Sequence, residues 1–544
     1  MSNKILFLSF LFLIPSFIMA QSKLSKDFKV TPSTPYPVTD AGSKLYFALE
    51  DGKTISVKTR GEMATIQRFD TRTMKEISRK EYKDLPKYAK VQKVLQIRGK
   101  LFYIYEAYNK KSKEKSFTLY IREIDTNSGT FKPEKKLFTT SGPVTGQPFS
   151  WGLSGWGLLG WSGAPKFDIS TSFDDSKILV RFRYKPTTKS DAKSNDKIGF
   201  YVYDQDFQKV WGEDVRMPYT EKDMNNLAYM VKSNGTATML IYKTESKSLE
   251  LLTLKEGGDK MSVHKLDIKR DLLFAKFDLR EDVNGNIAAA GFYANGIDFK
   301  WSWGGGSTSF NCNGLYSFTT TDKGEILSSY DHEFPLEFIQ QYVNKRERNK
   351  AEKREKKGKA GMEEVKMTEF FTQEDGSSII LAEQWYVRKE LVGTNTQNVW
   401  HYRHMIAMKI DADGKLVWMK KLPKNQAGLS GQGQMSFKYV PGDGCHYLLY
   451  VGNPKNADLP IDEVPAAHKN GLGGFLTAYK VDDETGDMTK SAIVNMREIP
   501  YAGNKKPITA YQFSTGRILE TESGLIFETY KKGKEDIMIH VDFE

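Results

Sequence analysis

Asp411 and Asp413, separated by one residue and followed at once by Gly414, carry the side chains with which a calcium loop begins. Such a loop needs oxygen ligands at its first, third and fifth positions, a glycine at the sixth and a glutamate at the twelfth, between two helices. Here the glycine comes two residues too early, and the flanks, MIAMKI and LVWMKKL, read as strands. The expectation is a turn and not a metal site. His401 and His404 are the closest histidine pair, but on a strand a spacing of three places them on opposite faces. No shared metal is expected there. The chain has no His-Glu-x-x-His, no Gly-x-Ser-x-Gly and no phosphate-cradling loop, so no catalytic residue and no cofactor is assigned.

Two other groups of residues have types that suit binding. Trp151, Trp156 and Trp161 stand five apart in a glycine-rich stretch at 141–165, and Trp301 and Trp303 lie in a second one at 300–310. Five of the nine tryptophans thus fall in two connections, where a core does not need them. Indole faces on a glycine-rich loop fit a pocket on a protein partner or stack on a sugar ring. The alternative is that the loops fold over the molecule and bury the rings.

Residues 345–359 hold nine basic and three acidic side chains, and supply half of the net charge of +12. Lys345, Arg346, Arg348, Lys353 and Arg354 are the candidate contacts for an acidic partner or an anionic lipid surface. Pro335 suits a helix's first turn. Leu336, Ile339, Tyr342 and Val343 then share one face that can pack inward. Beyond them only opposite-charge pairs four apart remain, such as Arg348 with Glu352. A single helix projecting into solvent is expected, with a plain solvated insertion as the alternative. No aromatic residue interleaves with the lysines, so nucleic acid is not the expected partner.

The elements that must carry these residues recur. An apolar strand, a turn rich in Asp, Asn and Gly, and a second strand appear at 63–82, 117–138, 198–215, 248–268, 314–334, 405–426 and 473–494. Each is preceded by a further strand pair or strand, as at 167–184, 277–293 and 437–451. Such turns tolerate the positive φ that tight hairpins require. A four-stranded antiparallel unit repeated about every 60 residues buries its faces only by stacking, which indicates an all-β β-propeller. Eight blades are expected, with seven as the alternative count. The last unit has only three strands, so a closing strand is expected from residues 21–43. The propeller then spans 44–544, with the charged helical insertion at 335–362.

Residues 1–20 read as a signal peptide: Lys4, an apolar run from Ile5 to Met19, and Ala20 before the cut. A membrane anchor is the alternative. No other segment approaches the length of a span, and since the last residues read as a blade strand no sorting domain is expected. The expected location is exported, in the periplasm or at the outer membrane, or extracellular. Cys312 and Cys445 sit in apolar strand-like runs and read as buried thiols more readily than as a bridge.

The segments EDGSSIILAEQWYV (374–387) and KIDADGKLVWMKKLPKNQ (409–426), with the basic helix before them, resemble an uncharacterised family of exported repeat-β proteins from Bacteroidota-type Gram-negative bacteria. The resemblance covers about residues 310–430. It implies export and a propeller-like fold, and brings no catalytic residues. The functional expectation is a non-enzymatic envelope module that binds a protein partner. The contrasting one is a carbohydrate-binding or carbohydrate-active propeller whose carboxylates meet at the central face.

Overall fold

Strands such as Ser248–Leu254 and Ile287–Ala294 are buried at every position and not at alternate ones, because each lies in the middle of a sheet that is covered on both faces. The outermost strands are more open: Glu76–Tyr82 is half-buried or exposed at every position. The computed structural model describes residues 28–543 except 146–164, 187–192, 269–272, 295–296, 303–304, 430–434, 470–472, 502–503, 509, 522–523 and 532. Among these residues the main chain forms eight antiparallel sheets built on four strands each. In chain order they span 43–82, 90–139, 168–220, 224–265, 273–333, 365–422, 438–495 and 510–543.

Eight apolar clusters alternate with the eight sheets. Ile55 and Val57 of the first sheet pack with Tyr103 and Tyr105 of the second, and the same holds between each successive pair. The eighth cluster joins Ile526 and Met538 of the last sheet to Tyr46 and Phe69 of the first. The sheets therefore close a ring, and the fold is an eight-bladed β-propeller. The eighth blade takes its fourth strand from the other end of the chain: Phe28–Pro32 pairs antiparallel with Glu535–Phe543, Phe28 opposite Phe543. This covers the edge that a three-stranded last blade would leave open.

The Asp411–Gly414 segment is a hairpin turn. Gly414 has φ +90° and Asp411 Oδ1 accepts from the Lys415 amide at 2.8 Å. Cys312 and Cys445 are both buried free thiols.

Two features differ from expectation. Residues 297–312 form a hairpin (Ile297–Ser302 with Gly305–Cys312) between the second and third strands of blade five, not an irregular loop. The insertion after Phe334 is not one projecting helix. It breaks into α1 (Leu336–Gln340) and α2 (Lys345–Glu355). Tyr342 sits at φ +57° and Asn344 is extended, which no continuous helix allows. Phe338 and Ile339 of α1 and Ala351 of α2 are buried in the cluster between blades five and six. The insertion ends in Met362–Glu363, which pairs with Asn311 and Cys312. Among the described residues no helix is long and apolar enough to cross a membrane. Residues 1–20 lie outside them.

Candidate functional site

Asn344 starts α2 with a capping box: its side chain accepts from the Glu347 amide at 3.0 Å, and Glu347 Oε2 accepts from the Asn344 amide at 3.3 Å. Such a cap is worth about 1 kcal/mol and fixes where the helical register begins. From that register Arg346, Lys350 and Arg354, four residues apart, share one face. All three line a cavity of about 540 Å³.

The opposite wall comes from blade six. Its middle strands, Ser378–Val392 and Asn395–Ile410, are twice as long as the blade needs and leave it as a projecting hairpin. After the register shift between Glu383 and Trp385, alternate residues on the first strand face the insertion. Gln384, Tyr386 and Arg388 line the cavity, as does Arg403 from the second strand. The remaining wall is Asn311 with Gly361, Met362 and Glu363. A side chain on Gly361 would place its Cβ 2.5 Å from the Cys312 carbonyl oxygen, so only glycine lets the two strands meet there. Lys421 completes the lining, and its ammonium donates to the carbonyls of Phe338, Ile339 and Gln341 at 3.3, 3.1 and 2.8 Å, closing the C-terminal end of α1.

Six cationic side chains (Arg346, Lys350, Arg354, Arg388, Arg403 and Lys421) thus face two carboxylates, Glu347 and Glu363. Both carboxylates are engaged. Glu363 takes Lys350 at 2.6 Å with Arg388 at 3.6 Å, and Glu347 serves the cap with Arg403 at 3.8 Å. The positive excess shows in the pKa values. Burial and then the Arg403 guanidinium push Lys421 down to about 7, against the pull of Glu347. Burial, then Lys421, Arg403 and Lys424, hold His404 well below the usual histidine value. Arg403 Nε and Asn311 Oδ1 are buried and make no hydrogen bond within the chain. Each such group costs about 1–3 kcal/mol unless a ligand or water meets it. The cavity therefore combines a positive excess with one unpaired donor and one unpaired acceptor.

A second cavity, about 590 Å³, lies in the channel, lined by Lys93, Asp168, Arg181, Asp278, Arg280 and Glu281 among others. Its charges are nearly balanced, three cations (Lys93, Arg181 and Arg280) against four carboxylates (Asp168, Asp175, Asp278 and Glu281). Asp168 is bound by Arg181, Asp278 by Arg280 at 3.2 Å, and Glu281 accepts from the Ser233 amide and hydroxyl at 2.7 and 2.8 Å.

Of the residues singled out in the sequence, Arg346 and Arg354 face the basic cavity, whereas Lys345, Arg348 and Lys353 are exposed on α2 and do not line it. Trp151, Trp156, Trp161 and Trp303 lie outside the described residues. Trp301 is a backbone member of the blade-five hairpin, opposite Gly306. Arg388, Arg403 and Lys421 were not anticipated. The one available signal was the strand length, since 378–410 is too long for one blade hairpin. His401 and His404 have separate surroundings, although the register shift at Arg403–His404 cancels the alternation expected to put them on opposite faces. His401 meets Glu390 at 2.6 Å, while His404 is buried beside Tyr342.

No family model matches the chain, and no curated protein matches it in sequence. Among solved structures, the chain is similar to the Dos1 propeller at 8% identity, covering 94% of this chain and 95% of that one with a TM-score of 0.37. It is also similar to the polysaccharide lyase Uly1 (9% identity, 83% and 90% covered, TM-score 0.34). A protein of unknown function from Bacteroides caccae is a third (11%, 66% and 89%, TM-score 0.27). Superpositions this loose carry no functional argument, and the propeller assignment rests on the pairing and packing described above.

Proposed function

We propose that this protein is a non-enzymatic, exported binding module of the cell envelope, and that its insertion and long hairpin capture an acidic segment of a partner protein. The observation that carries the reading is the charge imbalance of one cavity, five cations and the partly protonated Lys421 against two carboxylates, with the cations coming from α2, both strands of the hairpin and the neighbouring strand. Excess charge gathered from four separate elements is costly to assemble without an anion to receive. Asn311 Oδ1, an acceptor without a donor, suits a ligand with an N–H next to its carboxylates, as a peptide has. The hydrolytic form of the carbohydrate reading needs a pair of carboxylates free to act on a sugar, whereas Asp168, Asp278 and Glu281 of the second cavity are each engaged within the chain.

The test is fluorescence anisotropy of a labelled octa-glutamate peptide with the purified chain. Binding is expected in 50 mM salt and at least tenfold weakening in 300 mM, as exposed charge pairs are screened over about 10 Å at 0.1 M. Failure to bind at low salt would contradict the reading.

A further inference from the structure

The six cations differ in burial. Lys421 is 2% exposed and the Arg403 side chain 19%, against 51% for Lys350 and 54% for Arg388. Arg403 presents an edge suited to an oxyanion. Its Nε donor has no partner in the chain, and Nη2 on the same edge is 3.8 Å from Glu347, too far for a hydrogen bond. Parallel donors from one guanidinium edge match the two oxygens of a carboxylate, sulfate or phosphate.

We propose that the buried end of the cavity is a pocket for one compact oxyanion carried by the ligand, held by the Nε–Nη2 edge of Arg403 with Lys421 beside it. This deepens the binding reading above and rests on it. The groups facing Lys421 are the carbonyls of Phe338, Ile339 and Gln341 at the end of α1, Glu347 of α2, and Arg403 and His404 of the hairpin, with Lys424 acting on His404; Arg346, Lys350, Arg354, Arg388 and Glu363 line the rest of the cavity.

A consequence separates this pocket from a generally basic surface. With its pKa near 7, Lys421 is mostly neutral at pH 8. A docked anion favours the charged ammonium, so binding draws a proton from solvent. Affinity then falls as pH rises above 7, by up to about tenfold per unit.

Sulfate tests this cleanly, because it is a dianion throughout the range and any proton taken up belongs to the protein. Titration calorimetry of the full chain with sulfate at pH 8, in two buffers of different ionisation enthalpy, is expected to show uptake approaching about one proton per sulfate. Lys421→Arg keeps the cation and is expected to bind sulfate with no uptake and little pH dependence, while Arg403→Met is expected to lose sulfate binding at least tenfold. Sulfate binding without proton uptake, or binding that survives Arg403→Met in a folded protein, overturns the pocket. If octa-glutamate binds and sulfate does not, the pocket is wrong and the acidic-partner reading stands. If neither binds, both fall.

Discussion

Glu106 and Lys421 are opposite cases of one effect: burial disfavours charge, and the surroundings decide how much of that cost remains. Lys421 has three carbonyl acceptors and a use for its positive charge. Glu106, in the second strand of blade two, is 2% exposed, and its Oε2 makes no hydrogen bond. Burial raises its carboxyl to about 7, and Lys166 and Lys90 offset this only in part. The sign follows from proton counts. Between about pH 4.3, the unfolded value, and 7 the native chain keeps a proton that the unfolded chain releases, so stability falls as pH rises through that window. Glu106→Gln is therefore expected to stabilise the protein by roughly 1–3 kcal/mol at pH 8 and hardly at all at pH 4. Urea denaturation at both pH values checks this, and an equal effect at both would contradict it. Neither residue was legible in the sequence, because a buried Glu or Lys looks like a surface one until the fold covers it. The Asp411 turn was legible, since its glycine position and strand flanks are local.

At the level of elements, the hairpins could be read because turn chemistry and alternation are local signals, and the ring followed from their recurrence. The insertion was only half legible. Helical residues, an apolar first turn and the charged run were visible. The break at Tyr342–Asn344 depends on α1 packing between blades five and six and on Lys421, some eighty residues on, reaching the α1 carbonyls. The long hairpin was truncated for a similar reason. The strand pattern stops alternating where the strands leave the blade and exchange a core face for the face of α2. Helix and hairpin thus form one site, although neither pattern refers to the other.

For the whole molecule, the weak point of any ring is the seam where the ends meet. Here it holds a buried network. Lys58 and Glu528, both 0% exposed, pair at 2.5 Å; Lys44 reaches Glu528 and Asp536 at 2.9 and 2.8 Å; and the Tyr36 hydroxyl donates to Glu528 at 2.5 Å. Burial opposes ionisation of Glu528, but Lys58, Lys44 and Arg517 outweigh it and hold the carboxyl below its usual range. The stabilisation from Glu528 is complete above about pH 4.3, its unfolded value, and is lost as pH falls toward the depressed native one. Replacing one partner leaves buried charge uncompensated, so Lys58→Met is expected to cost about 3–5 kcal/mol. The denaturation midpoint at pH 7 measures it, and an unchanged midpoint would show that the seam does not depend on this network.

The central claim is that an oriented cavity, and not bulk positive charge, makes this propeller a binding module. The most direct measurement compares two double charge reversals on one helix in the octa-glutamate assay. Arg346→Glu with Arg354→Glu changes the cavity, and Arg348→Glu with Lys353→Glu changes the outer face of α2 by the same net charge. The account predicts at least tenfold weaker binding for the first pair and less than about threefold for the second, with both proteins equally folded by circular dichroism. Equal losses from both pairs would mean that the insertion acts only as a charged arm, and would contradict the account.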